Sequence, residues 1–260
     1  EIFSKNIELY NSSVSGATIE DLISIYQMFK MKNNLPSKII IGFDPWMLNK
    51  NHEQIRWKSI EDYYNLFFNK DLDENKICAR LNIDKFKQLI SFSYFQSSLK
   101  FIPELINGKT QPIPTKFEEN KTITKLLDGS IKYGEKYRLN GSEKIKKDVL
   151  EFLSKNPIYS LGSYSELSKE YISQLDSLIM DIEKQGVEIA FFLAPYHPLV
   201  YKVIEKNYPK VEESEEFIIS YANQKSIIVI GSFSPFNTKT NDSFFYDGMH
   251  LKEKGVEKII

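Results

Sequence analysis

The sequence holds one cysteine, Cys78, two tryptophans and three histidines in 260 residues. A single thiol cannot build an internal disulfide framework, so neither an oxidising nor a reducing compartment is excluded. No apolar run approaches the roughly 20 residues that a membrane-spanning helix requires, and no signal peptide opens the chain. Charge of one sign is missing too. Lys and Arg number 34 against 35 Asp and Glu, a formal net charge of −1, and the isoelectric point is near 6.4. That balance carries no electrostatic footprint for nucleic acid or an anionic membrane surface. A Walker-type loop, a Gly-x-Gly-x-x-Gly fingerprint and a Cys/His cluster for zinc are also absent.

What is present is an ordinary globular composition, 42% hydrophobic and 27% charged, with 15 Tyr and 18 Phe. Those aromatics suit both a packed core and a sugar-binding groove. Ile7 to Tyr10 reads as a short strand running into the polar turn Asn11 to Gly16. Thr18 to Lys32 reads as a helix, with Thr18 and Asp21 placed as a capping box and Ile19, Leu22, Ile23, Tyr26 and Phe29 on one face. Lys38 to Phe43, with three consecutive isoleucines, fits a strand covered on both faces, as in a parallel sheet. The unit recurs. Ser168 to Gln185 is an amphipathic helix stopped by Gly186, and Val187 to Ala194 is a buried strand. A helix at Val211 to Gln224 then precedes a strand at Ser226 to Ile230. Helices alternating with short apolar strands predict an α/β fold with a doubly wound parallel sheet.

Residues from about Asn49 to Ser165 break that rhythm and read as an insertion or cap within a single domain spanning 1–260. Trp57 to Phe68 and Ile83 to Leu99 look helical, and Asn107 to Gly141, rich in Pro, Gly, Thr and Asn, reads as loops. Asp71 to Asn75 begins like a calcium loop but lacks the glycine and the final acid, so a solvated turn is expected. The chain opens abruptly at Glu1 and closes within an apparent helix, Lys252 to Ile260, so both ends are read as cut.

In an open α/β sheet, ligands bind beyond the carboxyl ends of the strands. There the sequence places Asn11 to Thr18, Gly42-Phe43-Asp44-Pro45-Trp46, Ala194-Pro195-Tyr196-His197-Pro198 and Phe245 to Leu251. The sharpest pair is Asp247 and His250. A carboxylate three residues before a histidine can accept from one imidazole nitrogen and leave the other as a general base toward a hydroxyl. Taken alone, the pair is read as a helix cap beside a half-exposed histidine, because Asp-x-x-His recurs by chance in many proteins. His197 either lines the pocket or bonds a backbone carbonyl, and His52, in a polar segment, is assigned no role.

Asp247-Gly248-Met249-His250 resembles the last block of the SGNH/GDSL hydrolase superfamily. Tyr10-Asn11-Ser12-Ser13-Val14-Ser15-Gly16 is similar to its second block, in which Gly16 would supply an oxyanion N–H. The resemblance covers both ends of the chain and not its middle. The third block departs from the family's Gly-x-Asn-Asp, reading Gly42-Phe43-Asp44-Pro45. An ionised Asp44 cannot donate to an oxyanion, so a role in organising loops is expected. This form resembles a divergent bacterial branch associated with O-acetylation of cell-surface polysaccharide, often anchored by one N-terminal membrane helix. The block bearing the nucleophilic serine is not found. Asn11-Ser12-Ser13 would leave Gly16 without its role, and Asp128-Gly129-Ser130 reads as a turn. The resemblance therefore implies a serine, with the family's central strand, upstream of Glu1.

It further implies a serine esterase or O-acyltransferase acting on acetyl esters of a bacterial surface glycan outside the cytoplasm. Asp247 and His250 would be catalytic, with Asn11, Gly16, Asp44 and His197 around the oxyanion and substrate. The expected partner is an acylated carbohydrate, and no metal or organic cofactor is called for. Two other readings stay open: a glycan-binding or assembly module that kept the fold without the chemistry, and an unrelated flavodoxin-like binder.

Overall fold

A computed structural model describes residues 8–69, 123–155 and 158–260, with isolated positions between 70 and 122. Thr18, in extended backbone, starts α1 (Ile19–Met31): its Oγ1 accepts from Asp21 N at 3.4 Å while the Asp21 carboxylate accepts from Thr18 N at 3.0 Å. This reciprocal cap satisfies two N–H groups that the first helical turn leaves open. Ile19, Ile23 and Tyr26 are buried as the periodicity predicts. Strand β1 (Lys38–Phe43) follows, then 3-10 turns at Pro45–Leu48 and Arg56–Ile60, and α2 (Glu61–Phe68). After a gap in the described residues come the short strands β2 (Thr124–Lys125) and β3 (Ile131–Lys132), α3 (Glu135–Arg138) and α4 (Ser142–Ser154). The remainder is α5 (Lys169–Lys184), β4 (Glu188–Leu193), α6 (Pro198–Asn207), α7 (Lys210–Gln224), β5 (Ile228–Gly231) and α8 (Glu253–Ile259).

The molecule is thus mixed α/β, built on a parallel three-stranded sheet in the order β1-β4-β5. Lys38 stands beside Glu188 and Phe43 beside Leu193, while Ala190 pairs with Ile228 and Leu193 with Gly231. A Lys38–Glu188 ion pair of 2.8 Å marks the amino edge. One face buries Ile41, Phe43, Phe191 and Leu193, with the Phe43 and Phe191 rings edge to face at 4.8 Å. The other face, which the isoleucine run led us to expect buried as well, is only partly covered. Ala190 and Ile230 are buried there, but Ile40 is half-buried and Ile228 is 56% exposed.

Two further expectations change. Residues 8–10 form no strand: Leu9 and Tyr10 are exposed, and Asn11 N donates not to the sheet but to Asp128 O, at 2.6 Å. A strand must satisfy its amides against a neighbour, and here the next amide along is taken by a hairpin turn. That hairpin, β2–β3, lies in the stretch expected to be loops, together with α3. Its turn is Asp128-Gly129-Ser130, closed by Ser130 N and Oγ donating to Asp128 Oδ1 at 2.9 and 2.7 Å, so this tripeptide is a turn as read. The helix expected from Ile83 falls, but for Leu99, outside the described residues, as does most of Asp71 to Asn75.

Candidate active site

Past β5 the chain returns over the carboxyl edge of the sheet and pinches into a narrow loop. Phe245 pairs with Leu251, and Tyr246 N donates to His250 O at 2.8 Å. Asp247 holds the tip from within. Its Oδ1 accepts from Met249 N at 2.8 Å and from His250 N at 2.9 Å. Aspartate suits such a position because its short carboxylate reaches its own backbone two and three residues on. Helix α8 starts only at Glu253, with Lys252 at its N-cap, so Asp247 closes this loop and does not cap the helix.

The closure brings the His250 ring to the same carboxylate, Nδ1 lying 2.8 Å from Oδ2 and 3.1 Å from Oδ1. A carboxylate accepts, so Nδ1 carries the proton and Nε2 presents its lone pair. Tyr137, on α3, donates a further hydrogen bond to Asp247 Oδ2. Burial by itself would raise the Asp247 carboxyl, but the hydrogen bonds from His250, Tyr137 and Met249 and the imidazole charge hold it well below the usual carboxylate range. His250 is shifted up, first by its bond to Asp247, against the effect of burial and with the charges of Asp247 and Asp44 adding to it. Its side chain remains 53% exposed. Among the described residues no hydroxyl is hydrogen-bonded to Nε2.

Asp44, the residue after β1, lies near this imidazole. It is half-buried, and burial pushes its carboxyl up to about 7 against the lowering effect of His250. The register that sets Phe43 beside Leu193 puts Asp44 next to the Ala194–Tyr196 segment leaving β4. Tyr196 is 3% exposed, and its buried hydroxyl has no hydrogen-bond partner.

His197 supports the site from behind. Its backbone N donates to Gly248 O at 3.1 Å, tying the β4 exit to the loop of Asp247 and His250. Its ring is buried: Nδ1 accepts from Leu199 N at 3.2 Å, capping α6, and Nε2 lies 3.6 Å from Asp242. The ring therefore neither lines the cleft nor bonds a backbone carbonyl, as the two sequence readings had it. Proline at 198 supplies no N–H, which leaves the next amide to be capped.

Gly16 and Asn11 are not brought to His250 by any hydrogen bond or ring contact among the described residues. Gly16, at φ +67, packs where a Cβ would strike the Tyr159 hydroxyl, and the adjacent Ala17 O accepts from Trp46 Nε1 at 3.0 Å. Asn11 folds its Oδ1 back onto Ser13 N at 2.9 Å and docks on the β2–β3 turn.

Residues that sequence reasoning missed stand around the histidine. Tyr133, Tyr137 and Tyr246 form a cluster with ring centroids 4.8 to 5.6 Å apart, and Tyr133 meets His250 edge-on at 5.7 Å. The signal was two tyrosines four apart, in a stretch that breaks the strand-helix rhythm. Next to them opens a cleft of about 240 Å³ between α4 and the loop, with Phe152, Met249 and Tyr137 as apolar lining and Asp148, Glu151 and Lys155 at the polar side. No group of three His, Cys, Asp or Glu among the described residues is arranged to hold a metal ion. Comparison with models of known protein families, with curated proteins and with solved structures gives no match.

Proposed function

We propose that this chain is an SGNH-type α/β domain, doubly wound, that carries out acyl transfer on ester-linked acyl groups, acetyl esters of a bacterial surface glycan being the substrate class favoured. The observation that carries the reading is one arrangement. An imidazole is fixed through Nδ1 by a strongly ionised carboxylate, and its Nε2 is unbonded among the described residues, at the ligand-binding edge of a parallel sheet. The tyrosine cluster and the partly apolar cleft beside it suit a sugar ring, which offers a face for stacking and hydroxyls for carboxylates. Action on a surface glycan would place the protein outside the cytoplasm. No helix among the described residues is long and apolar enough to cross a membrane.

In this reading a serine outside the described residues attacks the ester carbonyl carbon. Its Oγ–H proton passes to His250 Nε2 as the new C–O bond forms, and Asp247 stabilises the imidazolium. Collapse of the tetrahedral adduct breaks the original ester C–O bond, and Nε2 returns the proton to the departing sugar oxygen. Water or an acceptor hydroxyl then gives its proton to Nε2 as its oxygen attacks the acyl carbon; the bond from that carbon to the serine Oγ breaks, and Nε2 returns the proton to Oγ.

Incubation of the protein in its natural full extent with a fluorophosphonate, followed by peptide mass spectrometry, tests this. We expect one labelled serine, with labelling lost in His250→Ala while the fold is kept. Equal labelling in His250→Ala would sink the mechanism. The lack of a hydroxyl bonded to His250 among the described residues also suits a glycan-binding module, and a folded protein with no labelled serine would favour that.

A further inference from the structure

The Asp247 carboxylate receives four donors, and the one that comes from furthest along the chain is Tyr137. Oδ1 accepts from Met249 N at 2.8 Å and from His250 N at 2.9 Å. Oδ2 accepts from His250 Nδ1, also at 2.8 Å, and from the Tyr137 hydroxyl. A carboxylate offers about four lone-pair sites, so this set fills them. The two backbone donors close the loop by themselves. The phenol is not needed for that closure, yet the fold brings it to the oxygen that holds the imidazole.

Several contacts present it there. The Tyr137 ring packs against Tyr133 at 4.8 Å and Tyr246 at 5.5 Å between centroids. Tyr137 N donates to Gly134 O at 2.9 Å, and Arg138 Nε donates to Tyr133 O at 2.9 Å, which fastens the short turn of α3. An ionised carboxylate only accepts, so the phenol supplies the proton of its bond to Asp247. Burial and that bond both keep the proton on the phenol.

Resting on the acyl-transfer reading above, we propose that Tyr137 is a positioning residue of this site: by sharing Asp247 Oδ2 with His250 Nδ1, its hydroxyl limits how strongly the carboxylate holds the imidazolium, and so keeps His250 available as a base nearer neutral pH. An oxygen that accepts from two donors gives less of its charge to each. Without the phenol that charge turns to the imidazolium, and the protonated form gains. No covalent bond to Tyr137 forms or breaks, and its proton stays on the phenol. Because α3 lies in the stretch that interrupts the strand-helix rhythm, the bond also ties that stretch to the base. The other titratable groups around the pair are Tyr133, Tyr246, Asp44 after β1, His197 after β4, and Asp148, Glu151 and Lys155 along the cleft.

The test is Tyr137→Phe, which removes the hydroxyl, keeps the ring against its two neighbours and leaves those other groups in place. Two quantities are followed in the protein in its natural full extent. One is the titration of the His250 ring, by NMR of its Cε1–H, and the other is kcat/KM for p-nitrophenyl acetate against pH. We expect the His250 titration and the acid limb of kcat/KM both to move to higher pH than in wild type. The loss of activity should then be several-fold larger below neutrality than on the alkaline plateau. A hydroxyl with a merely structural role would lower the profile evenly, or move the limb to lower pH by loosening the pair. Either result, or an unchanged titration, overturns the role of Tyr137 while acyl transfer stands. A folded wild type without turnover overturns the acyl-transfer reading and with it any role of Tyr137 in catalysis, whatever the His250 titration shows.

Discussion

At the scale of single residues, the Asp247–His250 pair sets a measurable titration. His250 has its pKa raised in the folded protein, so its base form appears only as pH climbs through a value above the usual 6.5. The acid limb of kcat/KM should therefore lie above 6.5, because below it Nε2 is protonated and cannot accept the nucleophile's proton. Asp247→Asn removes the bond and the charge that cause the shift. The limb should move to lower pH, and kcat should drop by about 10³- to 10⁴-fold, since an amide no longer fixes the Nδ1–H tautomer. A pH–rate profile of the variant decides it: a limb that stays in place would mean that Asp247 does not govern His250. The pair itself was legible in the sequence because three residues of spacing suffice for an aspartate to reach both the backbone and the ring. Tyr137 was not, since 110 positions separate it from Asp247 and only the fold makes them neighbours.

At the scale of elements, the same stereochemistry is solved three times. Each helix that precedes a strand of the parallel sheet ends with one residue in the left-handed region: Asn33 at φ +49, Gly186 at +72 and Ser226 at +56. The hydrogen bonds repeat as well. Gly186 N donates to Glu183 O and Val187 N to Ile182 O; Ser226 N donates to Asn223 O and Ile227 N to Ala222 O; Asn33 N donates to Lys30 O and Asn34 N to Phe29 O. This paired closure satisfies two carbonyls that a helix end leaves open, and it turns the chain back toward the sheet. Glycine adopts it without strain, and serine does not. Ser226→Gly should accordingly stabilise the protein by about 0.5–1 kcal/mol, and Gly186→Ala should destabilise it by about 1 kcal/mol. Urea unfolding midpoints measure both, and equal midpoints for wild type and Ser226→Gly would refute the argument. The sequence announced the stop at Gly186 plainly. At Ser226 it did not, because Ser-Ile-Ile-Val-Ile reads as unbroken strand, whereas β5 starts only at Ile228.

At the scale of the whole molecule, a half-buried acid links protonation to stability. Asp44 holds its proton up to about 7 in the folded state, while in the unfolded chain it ionises near 3.8. Between those values the folded state binds the extra proton, so stability from this group falls as pH rises, and the loss is complete above the higher value. Asp44→Asn has no proton to lose. Its stability relative to wild type should be flat below about pH 4, increase through the interval and level off above about pH 7, with a gain on the order of a few kcal/mol at most. Denaturant midpoints of both proteins across pH 4 to 9 give this difference directly. A constant offset would show that Asp44 titrates normally.

The elements with a local cause can be read along the chain. Thr18 and Asp21 cap α1 because both partners lie within one turn, β1 and β4 follow from runs too apolar for solvent, and the Asp247-to-His250 loop is closed by its own aspartate. The rest comes from contacts between distant parts of the chain. The position of Asn11 on a distant hairpin, the tyrosines gathered at His250, the half-bare second face of the sheet and the unpartnered carboxyl of Asp44 all depend on which surfaces meet across long stretches of chain. Spacing along the chain carries hydrogen bonds of two to five residues. Burial and charge are properties of the assembled surroundings, and these change a carboxyl at the end of β1 from an ordinary turn residue into an acid that keeps its proton near neutrality.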